Sequence, residues 1–131
     1  MIVVDSSAFV AVFWRESDAS IYLAEMLKAD RIAVSAMIVF ETRTVLGHGR
    51  SAPAVDAFNA WLVEAAADIR PFDAAMAEAA FAAYSRYGKG VHPRARLNLS
   101  DCAAYALAKS LDAPLLFKGA DFRHTDVTPA L

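Results

Sequence analysis

The sequence lacks the features that mark several large classes of protein. Its single cysteine, Cys102, cannot form a disulfide within the chain, so we expect a reducing compartment, namely the cytoplasm. No apolar stretch approaches the roughly 20 residues that a membrane-spanning helix needs. The first residues have the character of a strand and not of a signal peptide. These absences predict a cytoplasmic protein with no membrane partner.

An excess of basic charge is also missing. The chain has 13 lysines and arginines against 15 aspartates and glutamates, which gives a formal net charge of −2. A broadly basic nucleic-acid-binding surface is therefore excluded, and any nucleic acid must be held by a local basic patch or through metal ions. There are no internal repeats, low-complexity tracts or linkers. The 131 residues predict a single domain with a buried core.

Short apolar runs alternate with helical patterns along the chain. Residues 1–4, 32–34 and 115–117 are apolar without alternation, which is typical of strands buried on both faces. A weak edge strand is expected within residues 68–72, because proline suits an edge better than a centre, and a last short strand is expected near Val127. Strands that alternate with helices predict an α/β domain, a parallel sheet of 4–5 strands covered by helices on both faces.

The helices have recognisable starts and buried stripes. They are predicted over residues 8–14, 19–29, 36–48, about 51–66, 74–87 and 101–109, the third ending at Gly47-His48-Gly49 and the fourth opening at Ser51. Ser35, Asp73 and Ser100 are the expected N-caps, and Asp101 then takes the first helical position, where the helix dipole favours an anion. The expected inward-facing residues are Tyr22, Leu23, Met26, Leu27, Phe58, Trp61, Leu62 and Ala65.

Four acidic residues stand out by their placement. Asp5 and Asp121 follow apolar strands, and acids at the ends of neighbouring parallel strands lie on one rim of the sheet. Glu41 lies on an apolar helix face, where a carboxylate costs free energy unless it is paired. Asp101 lies in the first turn of a helix. Hard divalent cations such as Mg²⁺ and Mn²⁺ favour such a cluster of carboxylates.

Each of these acids also has a purely structural interpretation. Asp5 could cap the following helix, Asp101 could balance the helix dipole, and Asp121 could fill a turn. Asp126 is an optional fifth acid, for which a turn role is the better interpretation. Cys102 is expected to be a small buried hydrophobe. The three histidines, His48, His92 and His124, lack the spacing of zinc ligands.

Several blocks of sequence together resemble the PIN-domain ribonucleases, and most of all the VapC toxins of bacterial VapBC toxin–antitoxin pairs. The blocks are VVDSSA from Val3, Glu41 after the second strand, YGKGVHP from Tyr87, LNLSDCAAYALA from Leu97 and LLFKGADF from Leu115. The resemblance covers essentially the whole chain and implies a three-layer α/β/α PIN-like domain with a small central parallel sheet. Ala120 departs from it, because relatives commonly have asparagine there.

The resemblance implies a site and a reaction. Asp5, Glu41, Asp101 and Asp121 match the four metal-site acids of the family, and Ser7 matches a small hydroxyl residue often found near them. The implied activity is hydrolysis of RNA phosphodiester bonds assisted by Mg²⁺ or Mn²⁺, as the toxin of a type II toxin–antitoxin system. Candidate RNA-backbone contacts are Arg86, Lys89, His92, Arg94 and Arg96, for which a solvated loop is an equal alternative.

The resemblance also implies protein partners. VapC-like toxins are neutralised by a small antitoxin, so a cognate VapB-like antitoxin is expected, and they commonly form homodimers. Phe9, Phe13 and Trp14 on the first helix are candidate interface residues, although core packing explains them equally well.

Rival functions remain open at this point. A signalling receiver also places acids around Mg²⁺, but no aspartate follows residues 32–34. A haloacid-dehalogenase-like phosphatase would need Asp-x-Asp at the first strand, where Ser7 interrupts the pattern. A catalytically silent PIN-fold module that only binds a protein is disfavoured by the four intact acids.

Overall fold

The computed structural model describes residues 1–48 and 52–131. Its elements, in order, are β1 (Ile2–Val4), α1 (Ser6–Phe13), α2 (Ala19–Lys28), β2 (Ile32–Ser35), α3 (Ala36–Gly47), α4 (Ala52–Glu64), β3 (Asp68–Arg70), α5 (Ala74–Tyr87), α6 (Leu99–Leu111), β4 (Leu115–Leu116) and a 3₁₀ helix (Asp121–His124). The predicted helix end at Gly49 and helix start at Ser51 lie outside the described residues. Within the described ranges, no helix is long and apolar enough to cross a membrane.

The described strands form a parallel sheet in the order β3-β2-β1-β4. Val3 of β1 is in register with Ala33 of β2 on one side and with Leu115 of β4 on the other. The sheet is flanked by helices, as the alternation of strands and helices predicts, and β3 is an edge strand. The prediction of a three-layer α/β/α architecture is therefore confirmed, and β1 and β4 are neighbours whose carboxyl ends share one rim.

Most of the local signals in the sequence hold. Val3 and Val4 are fully buried, as are Ala33 and Val34, which is the reason these strands show no alternation. The Ser35 hydroxyl accepts a hydrogen bond from the Met37 N–H at 3.2 Å and so caps α3. The side chain of Asp73 caps α5 in the same way, by accepting from the N–H of the third helical residue.

The start of α6 differs from the prediction. The N-cap is Asn98 and not Ser100, so Asp101 occupies the third helical position and not the first. The Asn98 side chain accepts from the Asp101 N–H at 2.8 Å, and the Asp101 carboxylate accepts from the Asn98 N–H at 2.9 Å. This reciprocal capping box satisfies two helix-terminal donors, whereas a cap at Ser100 would satisfy one.

The packing of α2 and the end of the chain also differ. Met26 faces the core as predicted, but Leu27 is 71% exposed, because α2 packs mainly against α1 and its buried stripe is narrow. The strand expected near Val127 is reduced to a single parallel bridge between Pro129 and Leu115. The bridge consists of two hydrogen bonds, from the Leu115 N–H to the Thr128 carbonyl at 2.8 Å and from the Ala130 N–H to the Leu115 carbonyl at 2.9 Å.

Four aromatic side chains of α1 and α4 form one cluster, in which two rings are fully buried and two are half-buried. Phe9 contacts Phe58 and Trp61 edge to face, with ring centroids 4.9 and 5.6 Å apart, and Phe13 contacts the same two rings. Phe9 is completely buried, so the suggestion that it serves an interface is wrong. Trp14 remains 36% exposed.

Truncation of this cluster will test its contribution to stability. Phe58→Ala removes a fully buried ring, and we expect the free energy of unfolding to fall by about 3–5 kcal/mol in chemical denaturation. Val63→Ala on the same helix is the control, because Val63 is 80% exposed and its loss should cost less than about 1 kcal/mol. Equal costs for the two variants would contradict this account of the core.

Candidate metal centre

The four acids singled out by the sequence are placed by different elements around one rim of the sheet. Asp5 follows β1, Asp121 opens the 3₁₀ helix after β4, Glu41 lies in α3 and Asp101 lies in the first turn of α6. Burial raises the pKa of Asp101 to about 7, and the negative charges of Asp5, Glu41 and Asp121 add to the rise. Asp101 therefore lies within the electrostatic range of the other three acids.

Asp5 is the most buried of the four, with 2% of its surface exposed. Its Oδ2 accepts hydrogen bonds from the Ser7 N–H at 3.0 Å and from the Ser7 hydroxyl at 2.6 Å. Its Oδ1 is buried without a hydrogen-bond partner among the described residues. Burial raises the pKa of Asp5 to about 6 even though the bonds from Ser7 lower it. A buried oxygen without a donor is costly, and a cation ligand is the role that fits it.

Glu41 is held by two serine hydroxyls. The hydroxyl of Ser6 donates to one carboxylate oxygen and the hydroxyl of Ser100 donates to the other. Both serines are buried, and each is the immediate neighbour of another acid of the rim, Asp5 or Asp101. These bonds explain how a glutamate is accommodated on a largely apolar helix face. The sequence alone did not predict that Ser6 and Ser100 bind Glu41. The one signal for it was that each serine stands next to a site acid, Asp5 or Asp101.

Ser7 connects the end of β4 with Asp5. Its hydroxyl accepts a hydrogen bond from the Lys118 N–H at 2.9 Å, so the hydroxyl proton is directed to Asp5. The Lys118 ammonium in turn binds the carboxylates of Glu16 and Asp18, each at 3.0 Å. The helper residue predicted from the resemblance is therefore in contact with one of the acids, and its orientation is fixed from the neighbouring strand.

The remaining acidic candidates occupy the margin of the site or lie outside it. Asp121 is exposed, and Ala120, at the N-cap of the 3₁₀ helix, makes no side-chain capping bond. Asp126 accepts a hydrogen bond from the Tyr105 hydroxyl, which holds the pKa of Asp126 below its usual value. Lys109 binds the same carboxylate at 3.3 Å. The Asp126 side chain thus binds Tyr105 and Lys109, whereas the sequence predicted a turn residue at this position.

Within residues 1–48 and 52–131, no three or more histidine, cysteine, aspartate or glutamate side chains are already arranged to hold a metal ion. The serine bonds to Glu41 and the exposed position of Asp121 are consistent with this finding. The acids share a rim, and their role as metal ligands stays a prediction. Cys102 is buried as expected, and burial raises the pKa of its thiol to about 11.

Comparisons with known proteins agree with the fold. The PIN domain family model matches residues 2–127. Ribonuclease VapC30 of Mycobacterium tuberculosis is 44% identical over 126 residues, which cover 95% of each chain. The crystal structure of Mycobacterium tuberculosis VapC20, described as a sarcin-ricin loop cleaving toxin, superposes with a TM-score of 0.82 at 17% identity and covers 98% of this chain and 97% of that one.

A toxin–antitoxin complex from Klebsiella pneumoniae has a TM-score of 0.73 at 16% identity, covering 96% of this chain and 93% of that chain. The family-model match and the fold together define a PIN domain. The chain belongs to the PIN-domain family and, within it, to the VapC toxins, as its resemblance to them predicted. This membership removes the receiver and phosphatase interpretations.

The raised pKa values make the stability of the metal-free protein depend on pH. Asp5 and Asp101 bind protons in the folded state at pH values where the unfolded chain has lost them. Their contribution is fully present below about pH 4 and is lost as pH rises through about 6 to 7, so in EDTA the free energy of unfolding should fall across that window. Asp101→Asn should flatten the dependence and add about 1–2 kcal/mol at pH 8.

The control for this measurement is Asp56→Asn, which changes an exposed carboxylate on α4. It should keep the pH dependence of the parent protein. If Asp101→Asn also kept that dependence, the clustering of carboxylates around Asp101 would not govern stability.

Proposed function

We propose that this protein is a Mg²⁺- or Mn²⁺-dependent endoribonuclease that hydrolyses RNA phosphodiester bonds, the toxin of a type II toxin–antitoxin system. The observation that carries the proposal is the buried Oδ1 of Asp5, which has no hydrogen-bond partner among residues 1–48 and 52–131 and lies on the same rim as Glu41, Asp101 and Asp121. The names of the relatives support it, since Mycobacterium tuberculosis VapC30 is called a ribonuclease and the VapC20 structure is described as a toxin that cleaves the sarcin-ricin loop. The single cysteine supports a cytoplasmic location.

Asp5, Glu41, Asp101 and Asp121 would hold the cation. When bound, a divalent cation acidifies water and offsets the negative charge that develops on the phosphate in the transition state. The rest of the work belongs to the chain's own side chains. Ser7 fixes one oxygen of Asp5 and leaves the other for ligation, and the hydroxyls of Ser6 and Ser100 hold the Glu41 carboxylate in place.

The protonation state of Asp101 makes the charge of the site depend on pH. With a pKa near 7, its carboxyl group is partly protonated at neutral pH in the metal-free protein. Binding of a divalent cation there would require the ionised form and would release this proton. The Asn98 N–H donates to the Asp101 Oδ2 at 2.9 Å and so fixes this oxygen at the start of α6.

We propose two protein partners, a cognate VapB-like antitoxin and a second copy of this chain. The Klebsiella pneumoniae neighbour, a toxin–antitoxin complex, supports the first. Apolar side chains on the surface support an interface: Phe40 is 67%, Phe81 68% and Leu99 76% exposed. Light scattering on the isolated protein should give twice the 14.1 kDa mass of one chain, and a monomer at micromolar concentration would contradict the homodimer.

Substitution of single acids will test the proposed activity. Asp5→Asn and Asp101→Asn should each reduce Mn²⁺-dependent RNA cleavage by at least about 100-fold, because each removes a ligand charge without changing side-chain size. Circular dichroism should show the parent fold in both variants. Asp56→Asn is the control and should cleave RNA at the parent rate.

A second measurement does not depend on activity. Mn²⁺ should raise the melting temperature of the parent protein and of Asp56→Asn, because binding to the folded state stabilises it, and should raise it much less in Asp5→Asn and Asp101→Asn. Full activity in either site variant would remove that residue from the catalytic role. Absence of RNA cleavage by the parent protein with any divalent cation would favour a PIN-fold module that only binds a partner.

A further inference from the structure

The segment of residues 88–96 carries positive charge that the described parts of the protein do not neutralise. Lys89, Arg94 and Arg96 are exposed, and in the described ranges none of them forms an ion pair with a carboxylate. With the exception of Arg15, the other described lysines and arginines bind a carboxylate, amide or carbonyl oxygen. On a chain with a net charge of −2, this segment is a local concentration of unpaired cations.

Arg86 does not belong to this group. Its guanidinium is 3.6 Å from the Asp126 carboxylate and lies over the Tyr87 ring at 4.7 Å from the centroid. Both contacts engage the positive charge of the Arg86 guanidinium with groups of the protein itself. Of the five residues that the sequence suggests as RNA contacts, Arg86 is therefore the one whose charge is already paired.

Hydrogen bonds join the two ends of the segment, and these joined ends, residues 87–89 and 97, form its base. The Lys89 N–H donates to the Leu97 carbonyl at 2.9 Å, and the Leu97 N–H donates to the Tyr87 carbonyl at 3.0 Å. The Tyr84 hydroxyl donates to the Lys89 carbonyl at 3.0 Å. A Cβ at Gly88 would lie 2.5 Å from the carbonyl oxygen of Tyr84, so this close approach requires glycine. Leu97 is completely buried, which fixes the base to the core.

His92 gives the segment its shape. Its Nδ1 accepts hydrogen bonds from the Arg94 N–H at 3.0 Å and from the Ala95 N–H at 2.9 Å, so the neutral ring carries its proton on Nε2. The ring packs against Tyr87 with centroids 5.7 Å apart. Ala95 is completely buried, while Arg94 and Arg96 on either side of it are exposed. The turn that His92 closes therefore directs both guanidinium side chains to solvent.

The base of the segment continues directly into the candidate metal centre. Leu97 is followed by Asn98, whose side chain and N–H form the capping box with Asp101. An RNA strand whose phosphates bind along the segment would thus continue towards the rim that holds the acids. RNA carries one negative charge per nucleotide, which complements a row of unpaired cations beside an acidic site.

We propose that residues 88–96 form a preshaped RNA-docking arm, in which Lys89, Arg94 and Arg96 bind phosphates of the RNA backbone and His92 is a positioning residue that keeps the arm in shape. This inference rests on the proposed function, because it takes RNA as the substrate. It assigns separate tasks to two surfaces: the arm binds and aligns the strand, and the acidic rim carries out the hydrolysis.

The charge of the arm is tested with the full chain and a short single-stranded oligouridylate, in EDTA so that no hydrolysis occurs. The triple variant Lys89→Gln, Arg94→Gln, Arg96→Gln should lose at least about tenfold in affinity at low salt. The slope of log K against log salt concentration should become shallower by about 2, or about 0.7 for each lost phosphate contact. The matched control, Arg15→Gln, Lys28→Gln, Arg31→Gln, makes the same charge change outside the arm and should retain the parent affinity and slope.

The role of His92 is tested by rescue. His92→Ala leaves two backbone N–H groups unpaired, so oligouridylate affinity should fall and hydrogen exchange at the Arg94 and Ala95 amides should accelerate. His92→Asn should restore both, because an asparagine oxygen accepts the same N–H groups two and three residues ahead. Parent-like affinity in His92→Ala, or a failure of His92→Asn to restore binding, would remove the positioning role.

The outcomes separate the arm from the proposed function. If the parent cleaves RNA with Mn²⁺ but the arm and control triple variants bind oligouridylate equally well, the arm is wrong and the ribonuclease assignment stands. If the parent binds through the arm but cleaves no RNA with any divalent cation, the ribonuclease assignment is wrong and the arm stands. If the parent does not bind oligouridylate at all, the proposal that the arm docks RNA is wrong.

Discussion

The crowding of carboxylates at the carboxyl ends of β1 and β4 is the constraint on which the rest of the structure depends. Like charges brought together in a partly buried rim repel each other, and burial adds a desolvation cost to each of them. Asp5 is buried almost completely and Asp101 lies within the electrostatic reach of three other acids. Such an arrangement lowers the stability of the metal-free protein, so it persists only because the surrounding fold over-determines it.

The fold meets this constraint with short-range hydroxyl donors. Ser6, Ser7 and Ser100 each donate to a carboxylate of the rim, and the three come from the starts of two different helices. A hydroxyl group stabilises the ionised form without adding a positive charge that would compete with a cation. Lys118 reaches Ser7 only through its backbone N–H, and its ammonium group is bound instead to Glu16 and Asp18. The negative potential of the rim is therefore preserved.

The sequence predicted the parts of this arrangement that depend on local patterns. The buried strands, the caps at Ser35 and Asp73 and the position of Asp5 at a strand end follow from hydropathy and helix-start signals, and all are found. Local signals could not predict which residue begins α6, because asparagine and serine are both favourable N-caps and the sequence has Asn98 and Ser100. The Ser100 hydroxyl does not cap the helix but donates to Glu41, which is 59 residues away in the sequence. Long-range hydroxyl–carboxylate pairs and the exposure of Leu27 depend on how elements pack, which no local pattern contains.

The way in which two of the acids are held has a consequence for coordination chemistry. Asp5 and Asp101 each commit Oδ2 to a backbone N–H, Asp5 to that of Ser7 and Asp101 to that of Asn98. The main chain at the starts of α1 and α6 therefore orients both carboxyl groups before any ligand binds. Under the proposed function, such preorganised groups would hold Mg²⁺ or Mn²⁺ with little further loss of side-chain conformational entropy.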